Sequence, residues 1–149
     1  MTLDELDRRL RSGAGVRVLE AQDDLFYLYD PAGNLPPERQ QPFATIVTGD
    51  HYEQVSRLGE PGAWRLNLGL TKATYTALFG APPTERDADW VLDSGHDYAA
   101  RDVLMPHPFY AAQYWVAIVS PTAVDAALLT EAYEFAARKY ANQQARHTV

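Results

Sequence analysis

Trp64-Arg65-Leu66-Asn67-Leu68-Gly69-Leu70 alternates without a break. Trp64, Leu66, Leu68 and Leu70 fall on one face of an extended chain, and Arg65, Asn67 and Gly69 on the other. A period of two predicts a strand with one face on an apolar core. Upstream, Val16–Glu20, Leu25–Tyr29 and Phe43–Thr48 are rich in β-branched and aromatic residues and read as three more strands. Turn chemistry at Gln22-Asp23 and at Asp30-Pro31-Ala32-Gly33-Asn34 joins the first three, so antiparallel pairing follows.

Helical signals flank these strands. Thr2 with Glu5 forms a capping box ahead of Leu3, Leu6 and Leu10, and Gly13 and Gly15 end the element. Asp50 with Glu53 predicts a second short helix up to Gly59, with Tyr52, Val55 and Ser56 on one face. Thr71 predicts a cap for a helix with Tyr75, Leu78 and Phe79 as its stripe, stopped by Gly80. Asp97 starts a helical turn over 98–104, and Met105-Pro106-His107-Pro108 is held extended. Gln113–Val119 is the last strand, with Trp115 as a core residue. Ser120-Pro121 opens a long final helix carrying Val124, Leu128, Ala132 and Phe135 inward. Residues 81–97 form an acidic, irregular, exposed excursion within one domain over 1–149. The fold class is α+β: a single antiparallel sheet packed by the N- and C-terminal helices.

The chain has 149 residues, about one domain, with 46% hydrophobic and 22% charged residues, as globular proteins have. There is no cysteine, which removes disulfides, thiolate nucleophiles and cysteine-bound metals. The N-terminus is acidic at Asp4-Glu5, where a signal peptide is basic, and no apolar run approaches membrane-spanning length. The expectation is a cytoplasmic protein without membrane contact. The net charge is −7, and only two of the thirteen basic residues are Lys. Such a surface repels a phosphate backbone unless one face is locally basic.

No nucleophile elbow, phosphate loop, dinucleotide glycine fingerprint or His-Glu-x-x-His motif occurs. No cofactor, metal ligand or catalytic residue is assigned. His51 and His147 are set aside as first-turn and tail residues. His96 and His107 flank Asp93, Asp97 and Asp102, a grouping that resembles a hard-metal site on paper but matches no ligand spacing. His107 is pinned between two prolines and is expected to be a structural post, bonded to backbone or to Asp102. The polar face of the alternating strand is the candidate binding surface. Arg65 and Asn67 sit together there, and a neighbouring strand is expected to place Tyr27 and Tyr29 beside them. With His107 they would suit a planar or anionic small ligand.

Arg65-Leu66-Asn67-Leu68-Gly69 before a short helix, His107-Pro108-x-Tyr110, Trp115-Val116 on a strand and Glu131-Ala132-Tyr133 on a long helix resemble the MmcQ/YjbR-like family. The resemblance covers about residues 43–140 in element order and implies small bacterial domains of frataxin-like (CyaY-like) α+β fold. Pro42-Phe43-Ala44-Thr45-Ile46-Val47 and Leu104-Met105-Pro106-His107-Pro108 are also similar to a narrower set of uncharacterised bacterial proteins. The wider family is suggested to bind DNA through basic residues. Here Asn67 stands where that pattern has Lys, Gln113-Tyr114 where it has a basic pair, and Gln41-Pro42 where a Lys precedes Phe43. The departures all remove positive charge.

Three function classes follow. A non-catalytic module binding a small molecule or a protein comes first, with its oligomeric state open. A nucleic-acid-binding protein of the MmcQ/YjbR type is the second, and an enzyme using His107 with Asp102 or Arg101 the third. Duplex DNA should not be bound appreciably: fluorescence anisotropy at ~0.15 M salt should give a dissociation constant weaker than about micromolar. Tighter, steeply salt-dependent binding would contradict the charge argument.

Overall fold

The computed structural model describes residues 1–147, the side chain of His147 excepted. Its fold is α+β. The elements are α1 (Leu3–Arg11), β1 (Val16–Ala21), β2 (Asp24–Tyr29), β3 (Ala44–Val47), β4 (Arg65–Gly69), α2 (Lys72–Phe79), β5 (Met105–Pro106), β6 (Trp115–Val119) and α3 (Ala126–His147). The six strands form one sheet in the order β1-β2-β3-β4-β6-β5, with every neighbouring pair antiparallel.

The alternation of β4 does what its period requires. Leu66 and Leu68 join Ala44 and Ile46 of β3 and Val116 and Ile118 of β6 in the main core, under Leu6 and Leu10 of α1 and Leu129 and Ala132 of α3. Thr2 completes the capping box with Glu5 and starts α1. Thr71 accepts from the Thr74 N–H and starts α2, and Gly80, at φ 76°, ends it. A left-handed residue there costs glycine nothing.

Several expectations are corrected. Residues 50–59 form turns rather than a helix, because the Glu53 carboxylate that would close a capping box is bound instead to Arg65 and to the Val55 N–H. Residues 98–104 make a turn and a single bridge from Arg101 to Val119, with Asp102 at φ 61°. The last helix starts at Ala126, not after Ser120. Ser120 is left-handed at φ 45° and trades backbone and side-chain bonds with Trp64, and the Asp125 carboxylate caps the Ala127 N–H. Leu78, assigned to the inward stripe of α2, is 44% exposed. The irregular 81–97 segment carries an exposed Trp90 but is tied down by Leu92, which is fully buried and donates its N–H to the Pro108 carbonyl.

Trp115 does not enter the main core. Register places it opposite Gly69, on the face away from the helices. A Cβ at position 69 would come within 2.9 Å of the indole, so glycine there lets the ring lie against the strand. This second face is covered by loops instead of helices. One cluster joins Val47, Leu58, Ala63 and Val119, and another joins Tyr98, Met105 and Ala117. No helix among the described residues is long and apolar enough to cross a membrane.

Ile46→Ala should lower the unfolding free energy by ~2–5 kcal/mol, because Ile46 is fully buried in the main core. Leu78→Ala should stay within about 0.5 kcal/mol of wild type. Urea unfolding monitored by circular dichroism compares the two.

Candidate functional site

Arg65 and Asn67 share the loop-covered face, as the alternation predicts, but that face is not solvated there: Arg65 is 4% exposed and Asn67 2%. A guanidinium at such depth needs a partner for its charge and acceptors for its N–H groups. Arg65 Nη1 donates to Glu53 Oε1 and to Ser56 Oγ, both at 2.9 Å, and Nε donates to Asn67 Oδ1 at 3.0 Å. Asn67 Nδ2 in turn donates to Thr45 Oγ1 at 2.9 Å. The chain of bonds runs across β3 and β4 because Thr45 lies directly opposite Asn67 in the ladder. Burial pulls the Arg65 guanidinium below its ordinary value and Glu53 pushes it back up. It stays charged, since arginine does not lose its proton in proteins.

His107 follows β5, and its backbone N–H bonds the Trp115 carbonyl. The side chain is 97% buried, with Nδ1 accepting from the Phe109 and Tyr110 backbone N–H groups at 3.0 and 3.1 Å. Two donors on Nδ1 demand its lone pair, so the ring proton resides on Nε2 and the imidazole is neutral. Burial, reinforced by the nearby Arg65 charge, holds the ring well below the usual histidine value. The expected backbone-bonded post is therefore present. Its expected carboxylate is not: Asp102 accepts from Thr122 N and Oγ1 at 2.8 Å, and Arg101 pairs with Glu60 at 2.7 Å. Arg101 bridges to Val119 while His107 bonds Trp115, at the other end of β6. The pairing of His107 with Asp102 or Arg101 is thus ruled out by register.

Tyr27 and Tyr29 are also misplaced by the sequence reading. Phe26, not Tyr27, lies opposite Thr45, so the two tyrosines fall on the helix-covered face. Tyr27 is fully buried and donates its hydroxyl to Asp7 of α1 at 2.6 Å. Tyr29 packs edge-on against Tyr133 and Tyr140 of α3. His96 packs against Phe79, and among the described residues no group of three or more His, Asp or Glu side chains is placed to hold a metal ion.

Arg65, Asn67, Thr45, Glu53 and His107 together line one cleft of about 740 Å³. Its walls are aromatic: Phe26, Tyr52, Phe109, Tyr110 and Trp115. The His107 ring stacks obliquely on Tyr110, with centroids 4.9 Å apart, and meets Trp115 edge-on at 6.4 Å. Sequence reasoning missed Glu53, Phe26 and the outward role of Trp115. A buried arginine needs a carboxylate, and the β3–β4 connection, which holds Glu53, was the place to look for it.

Arg65 Nη2 and His107 Nε2 make no hydrogen bond to any described residue. Among the described residues the fully enclosed polar side-chain atom lacking a partner is the Tyr75 hydroxyl. Nη2 and Nε2 are therefore not sealed in, and the residues that carry them both line the cleft. The polar floor presents donors. Its oxygens already accept, Glu53 from Arg65 and Val55, Asn67 from Arg65, and Thr45 from Asn67.

A family model described as a family of unknown function (DUF6194) matches residues 1–145. No curated protein and no solved structure matches the chain.

The depressed His107 value gives a signed pH effect. As pH falls below about 6.5 the unfolded chain takes up a proton at this residue and the folded chain does not. Stability present above that pH is lost on acidification, at up to about 1.4 kcal/mol per pH unit. In His107→Asn, Oδ1 replaces Nδ1 as acceptor, and this part of the slope should vanish. Urea unfolding of both proteins between pH 7.5 and 5 checks the difference.

Proposed function

We propose, for a chain that belongs to this family of unknown function, a non-catalytic module that binds a small molecule in the cleft between His107 and the aromatic wall. One observation carries the reading: two side chains more than nine-tenths buried, Arg65 and His107, line one aromatic-walled cleft, and each keeps a hydrogen-bond donor without a partner among the described residues. Placing such donors at depth costs stability, and a binding partner offsets that cost. The binding residues are Arg65, Asn67 and His107. Tyr52, Phe109, Tyr110 and Trp115 supply the apolar surface, in place of Tyr27 and Tyr29.

Catalysis is not supported by the same groups. His107 offers a donor, since its lone pair is engaged, so it cannot serve as a general base without breaking two backbone bonds. Glu53 is paired with Arg65, and Ser56 Oγ accepts from the same guanidinium nitrogen, so both are committed to holding that charge. Duplex DNA is not favoured either, because surface arginines such as Arg11, Arg17 and Arg101 are paired with carboxylates. We read the chain as one domain whose helix–sheet–helix order is similar to the CyaY-like arrangement of MmcQ/YjbR domains. That order and the antiparallel meander from β1 to β4 support the likeness.

Tyr110 tests the aromatic wall, as it is 57% exposed and its ring stacks on His107. A thermal-shift screen of aromatic small molecules should give ligands that stabilise the wild type. Tyr110→Ala should weaken those ligands by about tenfold while leaving the protein folded, with a loss of stability of about 0.5–1.5 kcal/mol from the His107 stack. Ligands indifferent to Tyr110→Ala would place binding elsewhere.

A further inference from the structure

The cleft's charge balance narrows its ligand. Among its described lining residues Arg65 is the cation and Glu53 the anion, and they are joined at 2.9 Å. The neutral tautomer of His107 adds a donor and no charge. A second carboxylate, Asp24, is also near enough to act on Arg65, and Asp24 is itself bound to His51 and the Thr48 N–H. The floor therefore presents N–H donors with no excess positive charge. A carboxylate or phosphate brought to it would sit beside Glu53 in a partly desolvated place with nothing to neutralise it. A neutral acceptor meets the donors without that penalty. The neighbouring hollow of about 650 Å³ is acidic instead, lined by Asp50, Glu53, Asp87 and Asp89.

Building on the binding reading above, we infer that the cleft takes a neutral planar molecule whose carbonyl oxygen accepts from Arg65 and His107, its ring lying against the aromatic wall. Aryl amides, imides and lactams belong to this class, and aryl carboxylates do not. Arg65 is the positioning charge and Glu53 the residue that sets selectivity, because it cancels that charge before any ligand arrives. Five aromatic side chains fit a flat ring better than a sugar or an aliphatic chain, whose edges offer less surface to stack on.

Matched pairs that differ only in charge test this: benzamide against benzoate, and 1-naphthamide against 1-naphthoate. Each is titrated into the wild-type protein at pH 7.5, reading the NMR shifts of the Trp115 indole N–H and the His107 ring. The amides should bind about tenfold or more tightly than their acids. Acids that bind as tightly as the amides, or tighter, overturn the neutral-carbonyl inference and leave the binding cleft standing. No shift at either reporter from any probe overturns both. Glu53→Gln keeps an acceptor for Arg65 and removes the cancelling charge, so in the folded variant the acids should gain on the amides by about tenfold. An unchanged preference there removes Glu53 from the selectivity argument. The wild-type pairs decide alone where the variant does not fold.

Discussion

A guanidinium placed in the middle of a sheet must find a counter-charge and a set of acceptors, and that requirement organises one entire face of this protein. Arg65 lies on the central strand β4, flanked by β3 and β6. Glu53 and Ser56 reach it from the connection that precedes β4, and Asn67 and Thr45 from the sheet itself. The connection is irregular because its polar groups are committed inward. An ion pair of this kind contributes little net stability compared with apolar packing. What it supplies is a fixed geometry: Nη1 and Nε are held by Glu53, Ser56 and Asn67, and Nη2 is left without a partner among the described residues.

His107 works by the same logic from the other side. Pro106 and Pro108 restrict its backbone, and the Phe109 and Tyr110 N–H groups lock its ring. On the proposed reading, a structural post and a site residue are the same thing here. The bonds that make it a post use one nitrogen and thereby decide which proton the other nitrogen presents. Rigid support from the backbone is what a recognition group needs, because little conformational freedom remains to be lost on binding.

The sequence displayed the sheet more clearly than the site. Alternation in Trp64–Leu70 placed Arg65 and Asn67 on one face correctly, since apolar and polar residues differ there at every step. In Leu25-Phe26-Tyr27-Leu28-Tyr29 every residue is apolar or aromatic, so the pattern carries no parity and the wrong face was chosen for Tyr27 and Tyr29. Asp50 and Glu53 have capping-box spacing, yet a distant arginine outcompeted the local backbone for the Glu53 carboxylate. Ser120 looked like a helix cap, but its pairing with Trp64 holds it left-handed and moves the helix start to Ala126. An apolar strand leading into the last helix argues a core Trp115, but its register against Gly69 points it to the other face. At Glu53 and Ser120 a long-range contact overrides a local signal.

The two faces of the sheet also differ in how they resist opening. The helix side is a continuous apolar cluster drawn from α1, α2, α3 and the four strands β2, β3, β4 and β6, so opening it exposes a large apolar area. The loop side rests on two small clusters of four and three buried residues. Turn amides such as Arg57 and Ala63 are held by local bonds within that thin layer. Excursions of the layer expose few apolar groups and are correspondingly inexpensive in free energy. The protein is thus graded: a slow-exchanging slab beneath, and above it a cover with a lower threshold for opening, laid over the side on which a ligand would arrive.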